Sequence, residues 1–260
     1  MKEFNRITSR ENSLIKLISG LQTSAKKRKE SGLFVIEGLR ICCDAYDNGI
    51  RFDKLIICET AMEKYPEKVD IFSKNSSNCF IVPDSLFKKI SDTSSPQGIL
   101  AVCKREEIKE IEINPSGKYI ALENIADPSN LGAVARTAEA LGVSGIVVTD
   151  GGCDPYSPKA LRASMGTLLR MPVIITDSLP DFLKNSKFIS YACVVDRSAL
   201  PITEVKFSGG SILLIGNEAN GLLKQTADSC DKKITIPMSG RAESLNASVA
   251  AAVAMWEMMK

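Results

Sequence analysis

Residues 216–248 read GNEANGLLKQTADSCDKKITIPMSGRAESLNAS, and this stretch decides the fold class. It holds short blocks at 216–222, 236–238 and 244–248, in which apolar strand-like runs end in Gly- or Pro-containing turns that display polar side chains. The third block opens a helix of small residues. An α/β sheet builds a ligand site in this way at the carboxyl ends of its strands, so the stretch favours an enzyme.

A block of the same design lies upstream, where residues 127–137 read DPSNLGAVART. Around these blocks the pattern alternates between strands and helices. We predict strands at 119–123, 145–149, 173–176, 188–194, 211–215 and 233–236. We predict helices at 131–141, 158–170, 181–185 and 245–259. Because the strands are nearly continuous apolar runs, the sheet should be parallel, with helices on both faces.

The first half of the sequence predicts a smaller α/β/α domain. A helix in the first thirty residues is capped by Ser9 or Asn12. Strands follow at 33–36, 54–58, 79–82 and 99–103. A charged, turn-rich stretch then marks the domain boundary. The expected divisions are an N-terminal domain at 1–105, a linker at 106–117 and a second domain at 118–260.

Composition narrows the classes of function. The apolar fraction of 44% and the charged fraction of 25% are ordinary for a globular protein. No apolar run approaches the roughly 20 residues that span a bilayer, and residues 1–6 lack the apolar stretch of a signal peptide, so a cytoplasmic location is expected. The eight cysteines form no C-x-x-C pair and are interpreted as buried thiols of a reducing compartment, with disulfide or metal use as the alternative.

The chain contains no histidine. This removes the commonest general base, the Ser-His and Cys-His nucleophile pairs and any His-based metal site. No metal is expected, and the chemistry must use other polar side chains or backbone groups. The net charge is only +2, so a nucleic-acid partner would require local basic charge. Lys26, Lys27 and Arg28 form one such cluster, which is either a solvated helix end or a phosphate-contacting patch.

The second half resembles the SpoU (TrmH-like) class of RNA 2'-O-ribose methyltransferases within the SPOUT superfamily. The resemblance covers about residues 118–260 and rests on ordered blocks. They read N-x-G-x-x-x-R-T at 130–137, G-N-E-x-x-G-L at 216–222, I-P-M at 236–238 and S-L-N-x-S at 244–248. The first half looks like the family's N-terminal substrate-binding domain, through FVIEG at 34–38 and SPQGI at 95–99.

The resemblance implies methyl transfer from S-adenosylmethionine to a ribose 2'-hydroxyl of RNA. Ribosomal RNA is favoured over transfer RNA, because family members with this type of N-terminal domain usually act there. It also implies a C-terminal segment threaded into a trefoil knot, and a homodimer with the active site near its interface. The alternatives are a transfer-RNA methyltransferase of the same family and a non-catalytic RNA-binding ribosome-assembly protein with this fold.

The expected cofactor site lacks the G-x-G-x-x-G of an ordinary dinucleotide site. Instead, the runs at 213–216 and 235–238 are expected to end side by side and to wall an apolar slot, where a glycine lets the backbone approach closely. By resemblance, the residues that contact the cofactor are Gly216, Ile236, Met238 and Leu245. For Ile236 and Leu245, ordinary core packing is the alternative.

Arg136 is by resemblance the catalytic arginine that acts on the ribose hydroxyl. Because the pKa of a guanidinium exceeds about 12, it is a poor base. We therefore expect Arg136 to stabilise a developing alkoxide and to hold the phosphate, while proton abstraction stays open. The structural alternative is a surface arginine paired with Glu139 or Glu123.

Asn130, Glu218, Ser244 and Asn246 complete the expected catalytic group. Asn130 either caps its helix or lies beside the substrate ribose. Glu218 either is a solvated turn residue or orients Arg136 or Asn246 through a charge-assisted hydrogen bond. Ser244 and Asn246 can cap the last helix and also face the reaction centre. That helix has a face of small residues that permits close helix packing, for which contact across a dimer is one use, formed by Ala247, Ala250, Ala251 and Ala254.

Lys159, Arg162 and Ser164 are the remaining candidates for RNA contact. Lys159 and Arg162 lie three residues apart and share one helix face. Two cations and a hydroxyl near a helix start are suited to binding phosphate, and the family carries a similar Arg-Ala-Ser-x-Gly run there. A solvated face is the alternative.

Overall fold

The computed structural model describes residues 2–105 and 113–260, which fall into two compact units. The first unit comprises Met1–Glu107 and Tyr156–Arg162, and the second comprises Ile108–Pro155 and Ala163–Lys260. The segment Tyr156–Arg162 therefore belongs to the first unit, although the sequence analysis assigned it to the second domain. The predicted linker at 106–117 lies partly outside the described residues.

The described part of the first unit contains a mixed five-stranded sheet with the order β1-β4-β3-β5-β2. Its strands are β1 (Asn5–Arg6), β2 (Leu33–Glu37), β3 (Phe52–Cys58), β4 (Ser76–Val82) and β5 (Ile99–Lys104). β1 and β3 pair with β4 in parallel, whereas β5 is antiparallel to β2 and β3. All the strands predicted for the first half occur, and the two-residue strand β1 was too short for its pattern to be recognised.

The helices of the first unit alternate with these strands along the chain. They are α1 (Ser13–Thr23), α2 (Ala25–Ser31), α3 (Leu39–Asp47), α4 (Glu59–Lys64), α5 (Pro66–Lys74) and α6 (Asp84–Ile90). Asn12 caps α1, because its side-chain oxygen accepts a hydrogen bond of 2.9 Å from the Leu14 N–H. Ser24 caps α2 in the same way and separates the two helices.

The second unit contains a seven-stranded sheet in its described residues, with the order β10-β12-β9-β11-β6-β7-β8. Its strands are β6 (Lys118–Leu122), β7 (Gly145–Thr149), β8 (Val173–Thr176), β9 (Ile189–Cys193), β10 (Leu200–Pro201), β11 (Ser211–Ile215) and β12 (Lys232–Thr235). Every pairing is parallel, so the predicted parallel sheet is confirmed. The inner strands β7 and β11 are buried at every position, as their apolar runs require.

One predicted helix of the second half is wrong in its length. The helices are α7 (Pro128–Leu141), α8 (Pro158–Ala163), α9 (Leu179–Asn185), α10 (Lys224–Ser229) and α11 (Ala247–Met259). The helix predicted at 158–170 ends at Ala163, because Met165 and Gly166 adopt left-handed backbone angles, with φ of 52° and 83°. A right-handed helix cannot continue through such residues, and a 3₁₀ turn follows at Thr167–Leu169.

The C-terminal helix α11 uses its small residues within its own unit. Ala251 and Ala254 are fully buried, and α11 packs on α7, β6 and β11. The suggestion that the alanine face packs across a dimer is therefore not supported. The exposed side of α11 instead carries Val249, Val253 and Trp256. No helix in the described part of the chain is long and apolar enough to cross a membrane.

Candidate active site

A cavity of about 430 Å³ lies in the second unit at the carboxyl ends of β9, β11 and β12. All four residues that the sequence assigned to the cofactor line it, namely Gly216, Ile236, Met238 and Leu245. The position is the one expected for a ligand site in a parallel sheet. The cavity thus brings together residues from each of the last three sequence blocks.

The expected pairing of the two strand ends is wrong in one respect. β11 and β12 do not pair with each other, because β9 lies between them and pairs with both. The end of β9 and the residues after it, 193–195, therefore form part of the cavity wall. These residues were not predicted as part of the site, although the apolar run that ends at Val195, before Asp196, marks a further strand terminus.

Position 216 requires a glycine because the backbone of a neighbouring turn leaves no space for a side chain. A Cβ at this position would lie 2.0 Å from the carbonyl carbon of Gly221 and from the nitrogen of Leu222. The close approach occurs because residues 217–221 fold back in a tight turn, in which Asn217 and Gly221 exchange backbone hydrogen bonds of 3.0 and 2.9 Å. The glycine thus lets this turn close over the end of β11.

Glu218 connects this turn to the start of α7. Its carboxylate accepts hydrogen bonds from the backbone N–H groups of Ala126 and Asp127, at 3.0 and 3.2 Å, and from Asn130 Nδ2 at 2.8 Å. Burial raises the pKa of the Glu218 carboxyl, but these donors outweigh burial and hold the pKa below its ordinary value. Among the described residues, neither Arg136 nor Asn246 donates the predicted hydrogen bond to Glu218.

Asn130 continues the connection to the last helix. Its Oδ1 accepts a hydrogen bond of 3.2 Å from Asn246 Nδ2, and the Asn246 side chain caps α11 by accepting from Ser248 N–H at 2.9 Å. Asp127, rather than Asn130, caps α7. Glu218, Asn130 and Asn246 therefore form one hydrogen-bonded chain that joins three sequence blocks.

A second carboxylate, that of Glu123, binds the residues that directly follow this turn. Glu123 is only 3% exposed, and its carboxylate accepts hydrogen bonds from Leu223 N–H, at 2.7 Å, and from the Thr226 hydroxyl. Glu123, at the end of β6, thus binds the segment after the turn at 217–221, and Glu218, within that turn, binds the segment before α7. Glu123 was expected only as a surface partner of Arg136, because a local sequence pattern does not reveal contacts between distant loops.

Ser244 and Arg136 differ in their relation to the cavity. Ser244 lines it, and among the described residues it has no hydrogen-bond partner. Arg136 is exposed on α7 and is not among the residues that line the cavity. The surface pairing proposed for it is wrong, since Glu139 binds Arg170 and Thr167 while Glu123 binds Leu223 and Thr226.

Burial raises the pKa of two cysteines in the second unit, Cys193 and Cys153. Burial raises the pKa of Cys193, in the cavity wall, to about 11. Burial, with a smaller contribution from the charge of Glu218, raises the pKa of Cys153 to about 12. Since the thiolate is the nucleophilic form, neither cysteine is suited to attack a substrate at neutral pH. Among the described residues, no group of three or more Cys, Asp or Glu side chains is placed to hold a metal ion.

The basic cluster of Lys26, Lys27 and Arg28 is only partly exposed to solvent. Lys26 is exposed, and Lys27 projects along α1, where its Nζ lies 3.4 Å from the Lys16 carbonyl oxygen. Arg28 is 4% exposed, and its Nη1 donates to the Leu21 carbonyl oxygen at 2.6 Å. Arg28 therefore satisfies the carbonyl end of α1, so its assignment as an RNA contact is withdrawn.

The second set of predicted RNA contacts, Lys159, Arg162 and Ser164, also differs in exposure from residue to residue. Lys159 is exposed. Arg162 forms a salt bridge of 2.7 Å with Asp92, both within the first unit. Ser164 is fully buried in the second unit, so its hydroxyl does not face solvent and its predicted RNA contact is not supported. Its neighbour Ala163 packs against Gly132, where an added Cβ would lie 2.4 Å from the Ala163 Cβ.

Comparison with known protein families gives two matches along the chain. A family described as the SpoU rRNA Methylase family matches residues 117–256, and one described as the MRM3-like substrate binding domain matches residues 12–101. The two matches lie in the two halves of the sequence, and they confirm the resemblance drawn from the sequence blocks.

Similar proteins match over nearly the whole chain. A Synechocystis protein named an uncharacterized tRNA/rRNA methyltransferase is 31% identical over 96% of this chain and 92% of its own length. The 23S rRNA (guanosine(2553)-2'-O)-methyltransferase of Bacillus subtilis is 30% identical over 97% of this chain and 98% of its own. The crystal structure of an AdoMet-bound rRNA methyltransferase from Sinorhizobium meliloti superposes with a TM-score of 0.86 at 26% identity, covering 98% and 97% of the two chains.

Proposed function

Because the chain belongs to the SpoU rRNA methylase family, we propose that it methylates a ribose 2'-hydroxyl of ribosomal RNA with S-adenosylmethionine as cofactor. The observation that carries this proposal is the hydrogen-bonded chain from Glu218 through Asn130 to Asn246, which joins three of the family's sequence blocks next to the cavity that Glu218 lines. A fold kept only for binding would not need this arrangement of polar side chains.

The cavity suits the cofactor in size and chemistry. Its volume of about 430 Å³ lies in the range of small-molecule sites. Ile215, Ile236 and Leu245 supply apolar walls, and backbone polar groups at the strand ends are suited to an adenine edge. S-adenosylmethionine supplies an activated methyl group on a positively charged sulfur. The crystallised rRNA methyltransferase that superposes on this chain is described as AdoMet-bound.

We assign the reaction to polar side chains around this cavity. Ser244 and Asn130 hold the ribose hydroxyl in line with the methyl group, because positioning supplies much of the rate of such a transfer. Asn246 and Glu218 hold Asn130 in place through their hydrogen bonds. Arg136 stabilises the negative charge that develops on the ribose oxygen, since a guanidinium keeps its charge and donates hydrogen bonds.

Ribosomal RNA is the favoured substrate. The Bacillus subtilis relative is named for 23S rRNA, whereas the Synechocystis relative is named for either class of RNA. The first unit matches a substrate-binding domain and carries exposed Lys26 and partly exposed Lys27. With Arg28 and Ser164 removed, we retain Lys26, Lys27, Lys159 and Arg162 as contacts with the phosphate backbone.

We further propose that the protein acts as a homodimer in the cytoplasm. Arg136 is exposed and does not line the cavity, which supports a site completed by a second copy. The exposed apolar side of α11 supplies a surface for that copy. The family resemblance supports a trefoil knot at the C-terminal segment, and eight cysteines without disulfides are compatible with a reducing compartment.

The test is a transfer assay with methyl-labelled S-adenosylmethionine and unmodified RNA. Naked ribosomal RNA, large ribosomal subunits and transfer RNA are incubated separately with the protein, and digested nucleosides are identified by mass. We expect a 2'-O-methyl nucleoside from ribosomal RNA or from the subunit. Label only in transfer RNA would overturn the substrate class. Absence of both cofactor binding and transfer would support the assembly-factor alternative.

A further inference from the structure

The charged side chains of the cavity are all acidic. Among the described residues that line it, Glu218 and Glu243 are the only ones with a charge. A cavity bordered by carboxylates favours a ligand that carries positive charge, and the preference increases where the surroundings are less polar than water. The two carboxylates differ in how far they are already engaged.

Glu218 is occupied by the protein. Its two oxygens accept from the backbone of Ala126 and Asp127 and from the side chain of Asn130. These bonds hold the turn at 217–221 against the start of α7. Glu218 therefore contributes negative charge to the cavity, but its hydrogen-bonding capacity is directed at the loop.

Glu243 is available to a ligand. It lies in the segment 239–246, in which every residue is exposed, directly before the predicted catalytic Ser244. Its carboxylate forms no hydrogen bond or ion pair with any residue that the structure describes, although it lines the cavity. Ser244 and Leu245, which follow it directly, also line the cavity.

We propose that Glu243 is the residue that distinguishes the methyl donor from the spent cofactor. This inference rests on the cofactor proposed above. S-adenosylmethionine carries a sulfonium charge that S-adenosylhomocysteine lacks, whereas the two molecules share the amino-acid ammonium, the carboxylate and the nucleoside. The sulfonium of the first is attracted to a carboxylate in the cavity wall, whereas the neutral thioether sulfur of the second is not.

The consequence is a direct coupling between chemistry and product release. When the methyl group leaves the sulfur, the bonding electron pair stays on that atom and its positive charge disappears. The attraction of Glu243 then ends without any movement of the protein. Glu243 therefore reduces product inhibition by strengthening the binding of the substrate form alone.

The proposal is tested by calorimetric binding of both ligands to the full chain and to Glu243→Gln. We expect the Kd for S-adenosylmethionine to rise about two- to fivefold, the range of an exposed ion pair, while the Kd for S-adenosylhomocysteine stays unchanged. The difference should shrink at high salt. Glu243→Asp should restore part of the preference. Glu204→Gln, on an exposed residue that does not line the cavity, is the matched control.

Each outcome separates this proposal from the proposed function. Equal weakening of both ligands, or no change in either, overturns the role of Glu243 while wild-type binding and methyl transfer stand. Failure of the wild-type protein to bind either ligand overturns the proposed function itself. Unchanged binding of S-adenosylhomocysteine also shows that Glu243→Gln is folded, so a loss of preference cannot be attributed to unfolding.

Discussion

At the scale of single residues, Gly216 shows how close backbone packing shapes the cavity. Gly216→Ala places a methyl group 2.0 Å from the backbone of Gly221 and Leu222, neither of which is a flexible side chain. We expect the free energy of unfolding to fall by at least about 2 kcal/mol, since the turn must move to relieve the overlap. Cofactor affinity should fall with it. Urea denaturation and calorimetry measure both quantities.

The matched control is Gly240→Ala. Gly240 lies in the exposed segment after β12 and has no atom within 4 Å of an added Cβ. Its substitution should leave stability within about 0.5 kcal/mol of wild type, as is usual for a surface change. Equal losses in the two variants would show that the close contact at Gly216 is not the cause.

Arg136 allows a sharper test of the chemistry. Arg136→Ala should reduce methyl transfer by at least about a hundredfold, the effect of removing one donor to a developing oxyanion. Because Arg136 does not line the cavity, binding of S-adenosylmethionine should survive. Arg136→Lys retains the charge but lacks the planar fork of donors, so it should recover only part of the rate. Joint loss of binding and transfer would contradict the catalytic assignment.

For single residues, the sequence predicted which side chains line the cavity but not the hydrogen bonds that hold the neighbouring loops together. Gly216, Ile236, Met238 and Leu245 lie in blocks that each end a strand, and their convergence follows from a parallel sheet. The engagement of Glu123 with Leu223 could not be predicted in the same way. It depends on contact between segments about a hundred positions apart, which no local periodicity records.

At the scale of elements, the pairing of two loops through Glu218 predicts a pH dependence. The pKa of Glu218 is lowered in the folded protein, so its carboxylate stabilises the fold above the unfolded value of about 4.3. That stabilisation is lost as the pH falls through the lower folded value. The Tm difference between wild type and Glu218→Gln should therefore be largest near neutral pH and shrink towards pH 3. A difference that is constant across pH would contradict this role of the charge.

Helix α2 supports a prediction about RNA binding. Reversing Lys26 and Lys27 to Glu should weaken RNA binding and lower the slope of log affinity against log salt by about one per lost phosphate contact. Lys88→Glu combined with Lys89→Glu on α6, which changes the same charge on exposed residues of the same unit, is the control. Fluorescence anisotropy over a salt series measures the slope. Equal effects of the two double variants would indicate a general charge effect.

Most elements were predictable because their patterns are local. The strands at 145–149, 173–176 and 211–215 have the expected bounds, since continuous apolar runs identify buried parallel strands. The break after Ala163 was missed because Met165 adopts a positive φ, which is uncommon for a residue other than glycine. The position of β9 between β11 and β12 was missed because chain order does not determine sheet order.

At the scale of the whole molecule, the exposed stripe of α11 predicts association. Val249, Val253 and Trp256 are 48%, 38% and 57% exposed and recur at helical spacing. Trp256→Glu should convert the protein to a monomer in light scattering and abolish methyl transfer, with little change in Tm because the side chain is exposed. Gln225→Glu, a carboxylate added on exposed α10, is the control. A dimer that persists in Trp256→Glu would exclude this face as the interface.

Association also determines which subunit supplies Arg136. If Arg136 acts on the cavity of the partner subunit, a mixed dimer of Arg136→Ala and Ser244→Ala contains one complete site, because the intact arginine of one chain meets the intact cavity of the other. Random exchange makes half of the dimers mixed, so activity should recover to about a quarter of wild type, although each variant alone is inactive. Recovery to that level after subunit exchange, followed by labelled methyl transfer, would establish a shared site. If exchange is complete and no activity returns, Arg136 acts within its own subunit, and its exposure on α7 reflects a movement that RNA binding must drive.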